Sequence, residues 1–576
     1  MERFTWKIGG QAGFGIATSG QLFARMCVAA GRFVADYSEK PNRIRGGHNT
    51  HQVTIADKPL YAASREVDLL VALDKDSAFL HLKELASGAA VIYDGEKITL
   101  TAEDLGRGDV TLHSVPLARF AKEVGGEEVM RNTVGIGASL GFMGCDFAPL
   151  ERVLTSAFGK KPEHLVANLK AAREGFEYVR TQGGGHHACP LTQKLSSPHI
   201  VIPGNEAMAL GAIQAGCTFY AAYPMSPSSS ILHYLAGKAE TTGMVVKHAE
   251  DEISVINMAL GASYAGARAM IGTSGGGFSL MVESLGLAGI AEIPLVIAEV
   301  MRPGPATGMP TWTEASDLQF VIHAAQGEFP RVVLAPGDVE EAFHHTLLAF
   351  NLAERWQAPV FLLSDKNLGE HSRSAPPFDT SSYRIDRGKL LTQKDLSGDK
   401  PFKRYALTAD GVSPRPRPGL KGGVYLSNSY EHDYFGYSDE SSEMRVAQAD
   451  KRMKKLEGIA HEMPKPLILG PSKAPFTLVT WGSMKGPVRE AMERLGEEKM
   501  KVNIVHFSGM WPFPKKETEK LLSSQKHLVL VENNATAQFG SLLKEQTGID
   551  IKDKLLKYDG RPWFPEELMA AIKERL

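Results

Sequence analysis

Along most of this chain, short apolar runs end in residues rich in Gly, Pro or Ser and give way to segments with helical apolar spacing. Residues 4–8 lead into Gly10-Gln11-Ala12-Gly13-Phe14-Gly15, after which Leu22, Phe23, Met26, Cys27 and Ala30 share one helix face. Residues 69–73 form another apolar run that stops at Asp74. The pattern repeats at 219–222, 269–273, 295–300 and 360–363, and again at 477–480, 502–506 and 527–532. Strands too apolar for a half-exposed sheet, alternating with helices, predict an α/β protein whose sheets are largely parallel and covered on both faces. At 576 residues the chain exceeds what one core can serve, so several domains are expected.

Composition shifts place the boundaries. Thr181-Gln182-Gly183-Gly184-Gly185-His186-His187 and Ser196-Ser197-Pro198 read as a connector, which closes a first domain at 1–182. A second domain spans 198–465: a doubly wound α/β block to about 365, then a Pro/Gly-rich arm with a charged helical run at 444–457, read as a solvated face. A smaller α/β domain is expected over 470–576.

Several classes of function are disfavoured. A formal charge of -2 offers no basic stripe for nucleic acid. The first seven residues lack the apolar core of a secretory signal, and the longest apolar stretch, 285–301, is interrupted by Glu292 and Glu299, so no membrane span is expected and a cytoplasmic location is. The four cysteines are scattered without a C-x-x-C pair, which argues against a disulfide framework, a metal site or an iron–sulfur cluster held by this chain.

Five segments could carry chemistry, and the first three also have a bland alternative. Gly10, Gly13 and Gly15 make either a tight turn or a cradle of free N–H groups for a phosphate-bearing ligand, to which Arg43, Arg45, Gly46 and Gly47 add cations and a corner. The spacing is not that of a dinucleotide fingerprint. Tyr223-Pro224-Met225-Ser226-Pro227-Ser228 is a proline-shaped loop with a serine cap, or it sets the Ser226 hydroxyl at the ligand-binding edge of the sheet. Glu250-Asp251-Glu252 either complements a helix dipole or turns Glu252 inward, four residues before Ile256. Gly275 and Gly277, in Gly272-Thr273-Ser274-Gly275-Gly276-Gly277-Phe278, permit close approach of a flat ligand or of a facing subunit. Arg302 follows a strand and offers a fork to a carboxylate.

Together these residues resemble a known family. Gly204-Asn205-Glu206-Ala207, the 223–229 loop, Glu250-Asp251-Glu252-Ile253, Ala262-Ser263-Tyr264-Ala265-Gly266-Ala267-Arg268 and Arg302-Pro303-Gly304-Pro305-Ala306-Thr307-Gly308 look like the pyrimidine-binding domain of 2-oxoacid:ferredoxin oxidoreductases. Residues 1–182 resemble that family's gamma domain, fused ahead of the alpha subunit. Trp481-Gly482-Ser483, Pro512-Phe513-Pro514 and Glu532-Asn533-Asn534 resemble its C-terminal, transketolase-like α/β domain.

The resemblance implies that Glu252 bonds the aminopyrimidine N1′ of thiamine diphosphate, with Tyr223, Pro224, Gly275 and Gly277 around the cofactor. Arg302 and Ser226, the latter at a position usually held by threonine, are implied to hold the 2-oxoacid. Gly10, Gly13, Gly15, Arg45, Gly46 and Gly47 become candidates for the phosphates of coenzyme A. The family's Gly-Asp-Gly motif and cysteine clusters are not found here, so a beta subunit is implied to bring Mg2+, the diphosphate site and the [4Fe-4S] clusters, in an alpha2beta2 heterotetramer. The gamma–alpha order implies oxidative decarboxylation of 2-oxoglutarate with coenzyme A to succinyl-CoA, electrons passing to ferredoxin, and the reverse carboxylation of a reductive TCA cycle. The rivals are the same reaction on pyruvate or another 2-oxoacid, and a non-catalytic coenzyme-binding assembly subunit.

Overall fold

The computed structural model describes residues 3–41, 47–124, 127–182, 189–191, 198–396 and 401–575. Its chain forms two compact units. One comprises Met1–Ile202, His371–Pro377 and Phe564–Leu576; the other comprises Pro203–Glu370 and Phe378–Trp563.

The first unit holds an eight-stranded sheet in the order Thr111–Ser114, Leu85–Tyr93, Val67–Ala72, Phe4–Gln11, His48–Ala56, Phe33–Glu39, Ser372–Ala375, Ile200–Pro203. The sequence expectation of a largely parallel sheet is corrected here. Phe4–Gln11 pairs in parallel with Val67–Ala72 but antiparallel with His48–Ala56, which also runs antiparallel to Phe33–Glu39. The reason lies in the connection: only about eight residues separate the Phe33–Glu39 and His48–Ala56 strands, too few for the crossover that a parallel pair requires. Helices Ile16–Ala29, Arg131–Phe142 and Pro162–Thr181 supply apolar faces to the core around Trp6, Phe23, Val71 and Phe176.

Cys145 and Cys189 form a disulfide in this unit, which corrects the reading that the cysteine spacing disfavours one. The two are 44 positions apart, a pairing that only the tertiary fold brings about. Cys27 and Cys217 stay reduced and buried; burial pushes the Cys217 thiol up to about 12, so it is inert as a nucleophile near neutrality.

The second unit contains a seven-stranded sheet in the order Gly509–Trp511, Val332–Leu334, Pro359–Asp365, Leu295–Met301, Ala269–Thr273, Phe219–Ala222, Val245–His248. All neighbours are parallel except the Gly509–Trp511 edge. Register aligns the carboxyl ends: Ala222 pairs with Gly272, Thr273 with Glu299, and Met301 with Asp365. The residues that follow these ends therefore emerge on one rim. A five-stranded sheet, Leu467–Leu469, Val502–Phe507, Phe476–Trp481, His527–Glu532 and Asp553–Leu556, completes the unit. Val479, Trp481 and Phe507 from it, with Phe539 of the helix Gln538–Thr547, share one core with Phe278, Ile297 and Phe361.

Both acids that interrupt the 285–301 apolar stretch are fully buried. Glu292 accepts ion pairs from Lys451 and Lys455, one turn apart on the Ser442–Glu462 helix, each at 2.5 Å. The expectation that this charged run is a solvated face is thus corrected: Lys451, Arg452 and Lys455 are buried, and the two lysines hold the Glu292 carboxyl well below the usual carboxylate range. Removing the glutamate charge would strand two buried ammonium groups, so Glu292→Gln should lower unfolding stability by about 3–5 kcal/mol, read from denaturant midpoints at constant m-value. No helix among the described residues is long and apolar enough to cross a membrane.

Candidate active site

The rim of the seven-stranded sheet gathers the candidate residues of the second unit. Asp251 is the N-cap of helix Glu252–Tyr264 and accepts from the Ser254 backbone N–H at 2.7 Å. The capping role is therefore taken, and Glu252 turns inward until only 4% of it is exposed. One of its carboxyl oxygens, Oε1, is buried with no hydrogen-bond donor in contact among the described residues. Burial raises the Glu252 carboxyl above its ordinary pKa, with the Arg302 charge pulling the other way.

The glycine platform has a specific steric reason. A Cβ on Gly277 would stand 2.5 Å from Glu252 Oε1 and would also collide with the Thr273 hydroxyl. Gly275 begins the helix Gly275–Ile290, and a Cβ there would collide with the carboxylate of Asp317. A Cβ on Gly276, by contrast, would meet only the Ala306 carbonyl oxygen, at an ordinary contact distance of 3.8 Å. Glycine at 275 and 277 lets two acids approach the first turn of this helix.

Arg302 follows the Leu295–Met301 strand and donates from Nη1 to the Ser226 backbone carbonyl at 2.7 Å. Burial lowers its pKa, opposed by Asp317, Glu252 and Glu299, yet a guanidinium stays charged at neutral pH. Arg302, Gly275, Gly276, Ala306, Asp317 and Phe320 border a cleft of about 440 Å³. Ser226, Tyr223 and Pro224 are exposed on the adjoining loop. That loop is braced from beneath by Asn205, fully buried, which donates to the Pro227 carbonyl and to Ser230 Oγ, both at 2.8 Å.

In the first unit, Gly10 lies inside the Phe4–Gln11 strand, in register with Asn49, so it belongs to the sheet and not to the turn. Gly13 and Gly15 do form the turn, with φ of 97° and 71° that favour glycine. Gly47 accepts from the Ala12 N–H at 2.8 Å. Arg43, Arg45 and Gly46 lie outside the described residues. Arg131, which no sequence spacing signalled, stands over the Phe14 ring at 3.5 Å, with its Nε buried and without an acceptor among the described residues. Asn132 Nδ2 donates to the Phe14 carbonyl at 3.0 Å.

The residues present fit a thiamine aminopyrimidine. A buried carboxyl oxygen lacking a donor is what a protonated ring nitrogen would satisfy, and the glycines leave a flat approach beside it. Among the described residues, no group of three or more His, Cys, Asp or Glu side chains is arranged to hold a metal ion.

Comparison with known proteins identifies the family. The family profile described as pyruvate flavodoxin/ferredoxin oxidoreductase, thiamine diphosphate-binding, matches residues 210–451. Pyruvate ferredoxin/flavodoxin oxidoreductase matches 5–178, and pyruvate:ferredoxin oxidoreductase core domain II matches 474–562. The 2-oxoacid:ferredoxin oxidoreductase subunit alpha of a Sulfolobus species is 33% identical over 99% of this chain and 96% of its own length. The 2-oxoglutarate oxidoreductase subunit KorA of Mycobacterium tuberculosis is 28% identical over 100% and 92%. A solved 2-oxoglutarate:ferredoxin oxidoreductase from Magnetococcus marinus, with 2-oxoglutarate, coenzyme A and succinyl-CoA bound, matches with a TM-score of 0.90 and 30% identity, covering 100% of this chain and 99% of that one. The fold is thus that of a multidomain α/β oxidoreductase subunit with a thiamine diphosphate-binding domain. The chain belongs to the 2-oxoacid:ferredoxin oxidoreductase alpha-subunit family.

Proposed function

We propose that this chain supplies Glu252, Arg302 and Ser226 to the active site of a cytoplasmic 2-oxoglutarate:ferredoxin oxidoreductase, which converts 2-oxoglutarate and coenzyme A to succinyl-CoA and carbon dioxide and passes two electrons to ferredoxin. The observation that carries the reading is the buried, donor-less Glu252 carboxyl oxygen against Gly277, within electrostatic reach of Arg302. When bound, thiamine diphosphate would supply a carbanion-stabilising centre at its thiazolium C2. The chain's own residues do the rest. Glu252 holds or shares a proton at the aminopyrimidine N1′, and its raised pKa suits that task. Arg302 engages the substrate carboxylate, and Ser226 orients the reacting end from the adjoining loop. Tyr223, Pro224, Gly275 and Gly277 shape the pocket wall.

A beta subunit completes this site with Mg2+, the diphosphate contacts and the [4Fe-4S] clusters, in an alpha2beta2 assembly. The reaction runs as carboxylation when ferredoxin is sufficiently reducing. Assay of the purified complex against 2-oxoglutarate, pyruvate, branched-chain and aryl 2-oxoacids tests the substrate assignment; kcat/KM highest for any acid other than 2-oxoglutarate overturns it. The alternative, the same reaction on another 2-oxoacid, draws on the Sulfolobus relative, which is named for 2-oxoacids in general.

Coenzyme A is assigned by its phosphates to the Gly13–Gly15 turn, with Gly10 and Gly47 beside it and Arg45 and Gly46 in the adjoining segment. Arg131 is the charged side chain on that turn. Arg131→Ala should raise the KM for coenzyme A about tenfold, the effect of one charge-assisted contact, and leave the KM for the 2-oxoacid unchanged. Steady-state kinetics with each substrate varied in turn distinguishes the two.

A further inference from the structure

Arg302 shares its cleft wall with Asp317, and behind Asp317 lies Glu299, fully buried in the Leu295–Met301 strand. Among the described residues, none donates an N–H or O–H to either carboxyl oxygen of Glu299. Its side-chain partner is the carboxyl of Asp317. Two ionised carboxylates have only acceptors, so the contact requires a proton between them.

The two positions differ in what supports a charge. Asp317 sits against Gly275 at the first turn of the 16-residue Gly275–Ile290 helix, where the dipole favours an anion, and it feels Arg302. Glu299 lies deeper, facing Asp317 and the buried Asp365, and these together with burial keep its carboxyl protonated well above the usual range. The proton therefore resides on Glu299 and the negative charge on Asp317. Burial, with Glu314 adding to it, pushes Asp317 itself up to about 6. The charged groups facing the pair are Arg302 at the strand end, Glu314 in the preceding loop and Asp365 at the end of the neighbouring strand, while Glu252 faces Arg302 from the helix it begins.

We propose that Glu299 and Asp317 are positioning residues that share one proton beside Arg302 and take up a second from solvent when the carboxylate of a 2-oxoacid binds. The proposal rests on the assignment of Arg302 to that carboxylate. In the free site the Asp317 charge offsets Arg302. An arriving anion competes with Asp317 for the guanidinium, and protonation of Asp317 removes the repulsion. The sign follows: Asp317 has a higher pKa in the bound than in the free state, so the affinity gained is fully present below the free-state pKa and is lost as pH rises through the bound-state one.

The test uses the complex assembled with its partner subunit. The KM for the 2-oxoacid should rise about tenfold between about pH 6 and 8, the scale of one partly screened charge at close range. Asp317→Asn should hold the KM at its low-pH value throughout. Glu299→Gln should keep the wild-type profile, because a neutral amide replaces a neutral acid. A pH limb that survives Asp317→Asn, or that Glu299→Gln abolishes, overturns the proposal. Should Asp317→Asn fail to assemble, calorimetry of the wild-type complex with a non-reacting 2-hydroxy acid, in buffers of different ionisation enthalpy, decides it: net proton uptake supports the pair and none overturns it. Arg302→Ala keeps the two ideas apart, since an unchanged KM there removes the carboxylate assignment itself, whereas a raised KM with an unaltered Asp317→Asn profile removes only the proton coupling.

Discussion

Glu252→Gln is expected to lower kcat by about 10²-fold or more while folding and assembly survive, which is the contribution of a positioned acid–base group. The amide fills the same volume beside Gly277, where the backbone already makes room for a carboxyl, and Asp251 continues to cap the helix. What the amide cannot do is share a proton with the aminopyrimidine N1′. The measurement that isolates this step is exchange of the cofactor's C2 proton in the assembled complex, taken with an assay of cofactor retention. Slow exchange with cofactor retained supports the proposed role. Unchanged exchange with only a lowered melting temperature would favour the non-catalytic assembly reading, in which Glu252 serves the helix alone.

Arg302→Ala should lower kcat/KM for the 2-oxoacid by about 10²-fold or more, as loss of a charge-assisted anchor does. Much of the loss should fall on KM, because the substrate carboxylate is bound before and during the reaction. The substitution also removes the tie from Arg302 Nη1 to the Ser226 carbonyl, so the 223–228 loop loses its link to the strand end. Ser226→Ala should cost less, since that link uses the backbone and persists. Normal turnover of 2-oxoglutarate by both variants would place the carboxylate elsewhere.

Much of the site could be read from the residues because its parts are local. Gly277 and Arg302 each follow a recognisable strand, and a strand that ends in an open α/β sheet delivers its next residues to the ligand-binding edge. The orientation of Glu252 was not local in this sense. Three consecutive acids at a helix start look alike in sequence, and only the backbone geometry at Asp251, which takes the cap, leaves Glu252 to be buried. The Glu299–Asp317 pair gave no signal. Glu299 registered only as an interruption of an apolar run, and Asp317 lies 18 residues further on, beyond a loop whose path no periodicity describes.

The amino-acid sequence by itself determined the α/β class, the strands that carry the rim and the family to which the motifs point, because apolar periodicity and turn chemistry act over a few residues. Tertiary structure alone decided which charges are buried and with which partners. Lys451 and Lys455 look like solvent-facing residues of a charged helix until Glu292 is placed between them, and Cys145 and Cys189 look unrelated until the fold joins them. The antiparallel strands of the first sheet were hidden for the same reason. Hydrogen bonds between strands and ion pairs in a low-dielectric interior depend on which distant segments meet, and that is set by packing the whole chain rather than by any window of it.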